Sequence, residues 1–257
     1  MAPIEPLYTS IIGTARVVFF GQGLKFVMEG EDNVPRSGGA VMAINHTGYF
    51  DFTYAGLVAR RSKRLVRFMA KKSIFSHRVA GPLMRGMKHI PVDRRDGRES
   101  FNRAVQALKH GEIVGVFPEA TMSRSFELKE FKPGAVRMAQ EAGVPILPTT
   151  IWGSQRVWSK NLPKHLGRSN IPVFITVGEP ITVAPEEDRA AATLRLRDVM
   201  QAQLDAQQAA YPAMTGDDLV YQPARLGGTA PTPEDAAALD KADMTRTVDK
   251  FNKGRER

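Results

Sequence analysis

Two short apolar runs in this chain each end in a segment of polar side chains, and this arrangement limits the fold more than any other feature. Residues 41–44 are followed by Asn45 and His46, and residues 113–117 are followed by Pro118 and Glu119. Apolar runs of this length are typical of strands buried on both faces of a parallel sheet. Because α/β folds place their chemistry beyond the carboxyl ends of such strands, the two polar segments are the candidate site.

The rest of the chain alternates between strand and helix patterns, which predicts an α/β fold with a mixed, largely parallel central sheet flanked by helices. The predicted strands are residues 24–28, 41–44, 66–70, 90–92, 113–117, 146–151 and 173–177. The predicted helices are residues 51–60, 73–86 (interrupted at Gly81-Pro82), 99–109, 134–142 and 185–209. Beyond Tyr211 the composition shifts to Pro, Gly, Thr, Asp and Ala, which indicates a loosely ordered tail with short helices after Pro233 and Met244.

His46 and Asp51 are separated by four residues in the segment that follows the first run. The pKa of an imidazole lies near neutrality, so His46 can accept a proton at physiological pH. A carboxylate on the second ring nitrogen would fix the tautomer and stabilise the imidazolium, and Gly48 would let the chain turn back sharply enough for Asp51 to reach the ring. The alternative is a histidine in a turn, with Asp51 serving only as a helix N-cap.

Four segments together resemble the signature blocks of the glycerolipid acyltransferases, the lysophosphatidic acid acyltransferase family. They lie in the family's order within residues 24–182: the H-x4-D segment 45–51, residues 70–94, the Phe-Pro-Glu-Ala-Thr-Met-Ser segment 117–123, and the Val-Pro-Ile-Leu-Pro segment 144–148. The chain departs from the family at two positions. Ala120 stands where the family usually has Gly, and Met122 where it usually has Arg.

The resemblance implies transfer of a fatty acyl group from acyl-CoA or acyl carrier protein to a hydroxyl of lysophosphatidic acid, giving phosphatidic acid, without a metal or a cofactor. His46 would be the general base and Asp51 its support. Because the chain has no cysteine and no G-x-S-x-G elbow, direct transfer is favoured over a covalent acyl-enzyme. Backbone N–H groups near Gly48, or after Phe117, would stabilise the oxyanion.

Three alternatives stay open at this point. Met122 leaves room for another acceptor, such as glycerol 3-phosphate, another lysolipid or a glycolipid. The same pair of residues would also suit a hydrolase of acyl thioesters. A non-catalytic basic binding module is the third alternative, and it requires that His46 and Asp51 lie far apart.

Six further side chains are predicted to bind substrate: Arg94, Lys71, Lys72, Glu119, Thr121 and Ser123. A guanidinium grips phosphate through two parallel hydrogen bonds, and the resemblance assigns Arg94 to the acceptor phosphate. Lys71 and Lys72 would bind anionic groups or remain solvated at a helix start. Glu119 would accept hydrogen bonds from acceptor hydroxyls or hold Arg94, and otherwise cap a loop. For Thr121 and Ser123 the alternatives are donation to phosphate and loop capping.

The net charge of +9 is concentrated between Arg60 and Arg98, where thirteen Lys or Arg residues stand against two acids. Such a surface attracts anionic lipid headgroups or a phosphorylated substrate, unless it is merely a solvated basic face. The aromatic residues are not interleaved with the basic ones, so we do not expect nucleic-acid binding. No prediction of oligomeric state follows from the sequence.

Residues 7–20 place most of their apolar side chains near one helical face, which predicts an amphipathic helix. It either packs on the protein's own core or lies in the membrane interface, since no run approaches the roughly 20 apolar residues of a membrane span. Family members often contact the membrane here, so we favour the second use. We therefore expect three parts: a membrane-associating helical segment (1–28), an acyltransferase domain (29–210) and a C-terminal tail (211–257). The enzyme would be peripheral or monotopic on the cytoplasmic face of an anionic membrane.

Overall fold

In the computed structural model, which describes residues 5–93 and 96–253, every residue of the strand Ala40–Ile44 is buried. Val41 and Ala43 point into one hydrophobic core, and Ala40, Met42 and Ile44 point into a second core on the other face. The strand is therefore covered on both sides, which explains why its sequence is apolar without alternation.

The strands of the described residues form one mixed, largely parallel sheet in the order β1-β7-β6-β2-β5-β3-β4, which confirms the predicted fold class. The β6–β7 pair is antiparallel, and the other neighbouring pairs are parallel. Their bounds are β1 (Lys25–Glu29), β2 (Ala40–Ile44), β3 (Val66–Lys71), β4 (Ile90–Val92), β5 (Ile113–Val116), β6 (Ile146–Trp152) and β7 (Pro172–Val177).

Helices cover both faces of this sheet. Their bounds are α1 (Pro6–Gly21), α2 (Asp51–Val58), α3 (Lys72–Phe75), α4 (Ala80–Gly86), α5 (Gly97–Lys109), α6 (Gly134–Ala142), α7 (Ser154–Val157), α8 (Arg189–Ala210) and α9 (Pro233–Lys253). Helices α5, α6 and α8 contribute to one core, and α1 and α2 contribute to the other. Because β2 to β6 run parallel to one another, their carboxyl ends lie at one edge of the sheet.

Four of the five predicted helices have different bounds in the structure: helix 51–60 ends at Val58, helix 99–109 begins at Gly97, and the other two differ more. The break in residues 73–86 lies between α3 and α4, not at Gly81-Pro82, because Pro82 falls in the first turn of α4, where its missing N–H removes no helical hydrogen bond. Helix α8 begins at Arg189 instead of residue 185, because the Asp188 side chain accepts a hydrogen bond from the N–H of Ala191 and caps the helix there.

The prediction of a loosely ordered tail beyond Tyr211 is wrong for much of that segment. Tyr211, Met214, Tyr221 and Ala230 are buried in the same core as α5, α6 and α8. One helix, α9, replaces the two short helices expected after Pro233 and Met244. Apolar residues spaced far apart among Pro and Gly show no periodicity, so the sequence pattern did not reveal their burial. The division of the chain into three parts stays a prediction.

Helix α1 packs one face against the protein's own core and exposes apolar side chains on another face. Tyr8 and Phe19 are buried, and the Tyr8 hydroxyl donates a 2.7 Å hydrogen bond to the carbonyl of Val66. Val17 and Phe20 are 72% and 87% exposed. Within the described ranges, no helix has the length and apolar character needed to span a bilayer.

Candidate active site

Strands β2 and β5 are parallel neighbours, and they bring the two polar segments of the sequence together. Ala43 pairs with Val116 near the carboxyl ends of the two strands. Just beyond, the His46 imidazole stacks on the Phe117 ring, with 4.2 Å between ring centroids. The segments predicted from the two apolar runs therefore form one site at the carboxyl edge of the sheet.

His46 and Asp51 are in direct contact. The Nδ1 atom of His46 lies 2.9 Å from Oδ2 of Asp51, and the same oxygen accepts hydrogen bonds from the N–H groups of Thr47 (2.7 Å) and Gly48 (2.8 Å). Since the carboxylate can only accept, Nδ1 carries the proton and Nε2 presents a lone pair. Nε2 has no hydrogen-bond partner in the part of the chain that the structure describes. The imidazole side chain is 22% exposed, whereas Asp51 is fully buried.

Asp51 does not cap helix α2, because it is the first residue of the helix and its carboxylate points back into the preceding loop. The simple N-cap alternative is therefore wrong. The alternative of a non-catalytic binding module required His46 and Asp51 to lie far apart. Their direct contact contradicts that requirement.

Ser154, the first residue of α7, also contacts the Asp51 carboxylate. The sequence pattern did not predict this residue as part of the site. Its hydroxyl donates a 2.5 Å hydrogen bond to Oδ1 of Asp51 and lies 3.1 Å from the Thr47 hydroxyl. A Cβ on Gly48 would lie 3.0 Å from the carbonyl oxygen of Ser154, so glycine permits this close approach. One signal was available: Ser154 follows the apolar run 146–151, as His46 follows 41–44.

Glu119 is buried and holds the His46 loop through the backbone. Its Oε1 accepts from the N–H of His46 (2.9 Å), and its Oε2 accepts from the N–H of Lys129 (3.1 Å). Burial raises the pKa of the Glu119 carboxyl to about 7, against the lowering effect of these two donors. Because both oxygens bond to backbone groups, this placement supports a positioning role more than direct contact with acceptor hydroxyls or Arg94.

The other polar residues of the 117–123 segment are engaged within the protein. The Ser123 hydroxyl donates to the carbonyl of Glu127 (2.7 Å), and the Thr121 hydroxyl accepts from Nζ of Lys129 (2.7 Å). Met122 is buried, with its sulfur 3.6 Å from the Ser159 hydroxyl. Ala120 has φ of +60°, a left-handed conformation in which glycine carries no strain, which explains the family's usual residue there.

Helix α9 reaches this segment through a cluster of charges that we call the Asp240 cluster: Arg124, Lys129, Lys160, Asp240 and Asp243. Asp240 lies 3.0 Å from Arg124 and 2.7 Å from Lys129, and Asp243 pairs with Arg124 and with Lys160 (2.8 Å). The Arg124 side chain is only 7% exposed. The C-terminal segment therefore fixes the loop that contains Thr121 and Lys129.

Lys71 and Lys72 lie at the carboxyl end of β3, on the same edge of the sheet as His46. Lys72 pairs with Asp93 at 3.1 Å and helps to line a cavity of about 540 Å³ that also touches His89 and Arg103. Lys71 is exposed. Arg94 lies outside the described residues, so its predicted role in phosphate binding stays a prediction.

The predicted oxyanion donors near Gly48 are wrong, because these N–H groups already donate to other acceptors. Thr47 and Gly48 donate to Asp51, and Tyr49 donates to the carbonyl of Trp158. In the loop after Phe117, the N–H groups of Ala120, Thr121 and Ser123 donate to carbonyls. The loop's remaining donors, the N–H groups of Glu119 and Met122, are the candidates that the geometry leaves.

The basic region between Arg60 and Arg98 is only partly a surface patch. Arg64 is buried and donates to the carbonyls of Pro35, Gly38 and Gly111. Arg67 is also buried and pairs with Glu5 and Glu112. These two cations stabilise the junction of β3 with its neighbours and are not accessible to an anionic partner.

The chain is similar in sequence to known acyltransferases. A family model described as Acyltransferase matches residues 25–152. The 1-acyl-sn-glycerol-3-phosphate acyltransferase of Bacillus subtilis is 32% identical over 168 residues, which are 63% of this chain and 79% of that protein. The chain belongs to the lysophosphatidic acid acyltransferase family. A second member, the 1-acyl-sn-glycerol-3-phosphate acyltransferase of Borreliella burgdorferi, is 27% identical over 71% of this chain and 73% of that protein.

The fold is also that of the family. The crystal structure of the 1-acyl-sn-glycerophosphate (LPA) acyltransferase PlsC from Thermotoga maritima superimposes with a TM-score of 0.66, at 23% identity, over 80% of this chain and 81% of that one. The resemblance read from the four sequence blocks is thereby confirmed, and the chain is an acyltransferase of the 1-acyl-sn-glycerol-3-phosphate O-acyltransferase type.

Proposed function

We propose that this enzyme transfers a fatty acyl group from the thioester of acyl-CoA or acyl carrier protein to the hydroxyl of lysophosphatidic acid, giving phosphatidic acid. The observation that carries the proposal is the 2.9 Å contact between His46 and the buried Asp51 at the carboxyl edge of the sheet, with Nε2 directed away from the carboxylate. The related proteins of Bacillus subtilis and Borreliella burgdorferi are 1-acyl-sn-glycerol-3-phosphate acyltransferases, which supports the acceptor.

The proposed chemistry is direct transfer with His46 as general base. Nε2 of His46 takes the proton of the acceptor hydroxyl, and the oxygen attacks the thioester carbonyl carbon. The tetrahedral intermediate then collapses, the carbon–sulfur bond breaks, and the imidazolium returns the proton to the leaving thiolate. Asp51 holds the ring in the productive tautomer and stabilises its positive charge. A positioned base of this kind is worth about 10²–10⁴-fold in rate.

For the acceptor phosphate we propose Arg94 together with Lys72, because Lys72 lies beside a cavity on the same sheet edge as His46. Lys71 is the further candidate for an anionic group. Met122 cannot supply the charge of the family's arginine, and its side chain packs against Ser159. We therefore expect cations outside the 117–123 segment to bind the acceptor phosphate.

We further propose that the enzyme binds an anionic membrane surface as a peripheral or monotopic protein on the cytoplasmic face. Val17 and Phe20 of α1 are largely exposed, as is Val79 of the α3–α4 region, and Ile74 and Leu83 beside it are about 40% exposed. Leu7 of α1 contacts Gly86 of α4, so the two regions are neighbours. Apolar side chains next to lysine and arginine are typical of an interfacial surface.

The test is mass spectrometry of the lipids formed from acyl-CoA and an equimolar pool of acceptors. We expect phosphatidic acid as the main product from a pool of lysophosphatidic acid, glycerol 3-phosphate, lysophosphatidylcholine and a glycolipid. A different acylated product would replace the proposed acceptor but keep acyl transfer. Release of CoA at an equal rate without any acceptor would identify a thioester hydrolase and overturn the proposal.

A further inference from the structure

The loop between β6 and β7 forms a second concave site that the proposed chemistry does not use. It is a cavity of about 460 Å³, and its lining includes Arg156, Lys164, Arg168, Ser169 and Asp218. All five residues lie beyond residue 152, where the match to the family model ends. We call this cavity the Arg168 pocket.

The Arg168 pocket carries more positive charge than its own acid can neutralise. Arg156 pairs with Asp218 at 2.5 Å. Across residues 5–93 and 96–253, neither Lys164 nor Arg168 has a carboxylate partner. Two unpaired cations that share a concave surface attract an anion more strongly than the same charges spread over a flat face.

Two buried polar atoms of the pocket residues also have no hydrogen-bond partner within the described chain: Nε of Arg156 and the hydroxyl of Ser169. Nearly all buried donors in native proteins are paired, so these two donors are open to acceptor atoms from outside the chain. An anion with several acceptor oxygens, such as phosphate, would suit a guanidinium N–H and a hydroxyl together with two cations.

Aromatic contacts connect the pocket to the catalytic loop. Nζ of Lys164 lies 4.5 Å from the centre of the Trp158 ring, and the Trp158 ring lies 4.6 Å from that of Tyr49. The Trp158 carbonyl accepts a 3.0 Å hydrogen bond from the N–H of Tyr49, which is three residues from His46. These contacts place the pocket and the loop that holds His46 on adjoining parts of the structure, which suits a ligand with a phosphate end and an extended arm.

We propose that the Arg168 pocket binds the phosphate groups of acyl-CoA, with the pantetheine arm passing Trp158 and Tyr49 to present the thioester to His46. This assignment rests on the proposed function, because it assumes that a thioester donor reacts at His46. It favours CoA over acyl carrier protein as the donor, since CoA brings both a diphosphate and a 3′-phosphate to a site with several cations. The acceptor phosphate remains with the cations near Lys72, on the far side of β5.

The test is calorimetric binding of free CoA, which has no acyl group and cannot turn over. The double variant K164Q/R168Q is expected to raise the Kd for CoA at least tenfold and to weaken the salt dependence of binding. The control is R36Q/K109Q, which removes the same two charges from residues that precede β2 and β5, at the opposite edge of the sheet. It is expected to leave the Kd unchanged. Circular dichroism confirms folding of both proteins.

Two further measurements decide between sources of phosphate. Loss of the 3′-phosphate in dephospho-CoA is expected to weaken binding to the wild type but to have less effect on K164Q/R168Q. If the double variant loses affinity for phosphatidic acid vesicles while keeping its affinity for CoA, the pocket serves a lipid headgroup and the proposal is wrong. Unchanged affinity for both ligands would also overturn it.

Failure of this inference can be distinguished from failure of the proposed function. His46→Ala is expected to abolish transfer while it leaves the Kd for free CoA unchanged. K164Q/R168Q is expected to raise the KM for acyl-CoA, with kcat retained at saturating donor. An active His46→Ala variant would contradict the catalytic role of His46 but not the pocket, whereas unchanged CoA binding by K164Q/R168Q would contradict only the pocket.

Discussion

At the scale of single residues, the position of the His46 ring is set by the hydrogen bonds of Asp51. The carboxylate accepts from two backbone N–H groups and from the Ser154 hydroxyl, in addition to its contact with the ring. Hydrogen bonds to charged groups contribute about 1.5–3 kcal/mol each. Loss of one of them would let the carboxylate rotate and would misalign the imidazole.

Ser154→Ala is therefore expected to lower kcat about tenfold or more, with little change in the KM of either substrate. The physical reason is that Oδ1 of Asp51 loses its donor inside a buried site. The measurement is steady-state kinetics on purified protein. Ser62→Ala is the matched control, because Ser62 also donates to an internal acceptor, the carbonyl of Val34, but lies away from the site. Wild-type kcat in Ser154→Ala would contradict the positioning role of this hydroxyl.

Glu119 gives a pH-dependent prediction. Its pKa is about 7 in the folded protein against 4.5 ordinarily, so between these values the folded state keeps a proton that the unfolded state has lost. The contribution of Glu119 to stability therefore falls as pH rises from 4.5 to 7, by about 3 kcal/mol in total, and changes little outside that range.

The measurement is urea unfolding of wild type and Glu119→Gln from pH 4 to pH 8, because the difference between the two proteins cancels the other titrating groups. The free energy of unfolding of the wild type is expected to fall relative to the variant across this range. A difference that does not depend on pH would show that the Glu119 carboxyl has an ordinary pKa.

At the scale of secondary-structure elements, the local sequence pattern predicted the strands well, because the apolar residues that each strand buries lie close together in the sequence. Gly134–Ala142 and Ile90–Val92 have the bounds that their sequences indicate. The contact between His46 and Asp51 could also be predicted, since both residues lie in one turn.

The partners contributed by distant segments could not be predicted in this way. Ser154 is 103 positions from Asp51, and Asp240 is 116 positions from Arg124. Such contacts depend on the order of strands in the sheet and on the path of the C-terminal segment. Neither leaves a periodic signal in the chain.

From the contacts of the Asp240 cluster we predict that α9 stabilises the loop that contains Thr121 and Lys129. Asp240→Asn leaves the buried guanidinium of Arg124 and the ammonium of Lys129 with one carboxylate fewer, so the free energy of unfolding is expected to fall by about 2 kcal/mol. Urea unfolding measures this change. Glu234→Gln, which removes one negative charge from the exposed start of the same helix, is expected to change it by less than about 0.5 kcal/mol. Equal effects of the two substitutions would contradict a specific role of Asp240.

At the scale of the whole molecule, the sheet separates two helix-covered surfaces. Helix α1 lies on the α2 side and exposes Val17 and Phe20, whereas α8 covers the opposite face. If the α1 side contacts the membrane, the carboxyl edge with His46 can take a lipid acceptor from the bilayer.

Phe20→Ser is expected to weaken binding to anionic vesicles about tenfold or more, because burial of a Phe side chain contributes about 1.5–3 kcal/mol. Sedimentation with vesicles containing phosphatidylglycerol measures the partition. Leu194→Ser, at a 61% exposed position on α8, is the control on the opposite face and is expected to leave the partition unchanged. If both variants bind like the wild type, α1 is not the membrane-contacting element.

The most direct test of the central claim is the initial rate of acyl transfer from acyl-CoA to lysophosphatidic acid by His46→Ala. His110→Ala serves as the control, because its imidazole is exposed and, among the described residues, bonds only to the carbonyl of Gln106 in the preceding helix. We expect a loss of at least 10²-fold for His46→Ala, in a protein that circular dichroism shows to be folded, and a wild-type rate for His110→Ala. A folded His46→Ala protein that retained most of its turnover would contradict the role of His46 as the base.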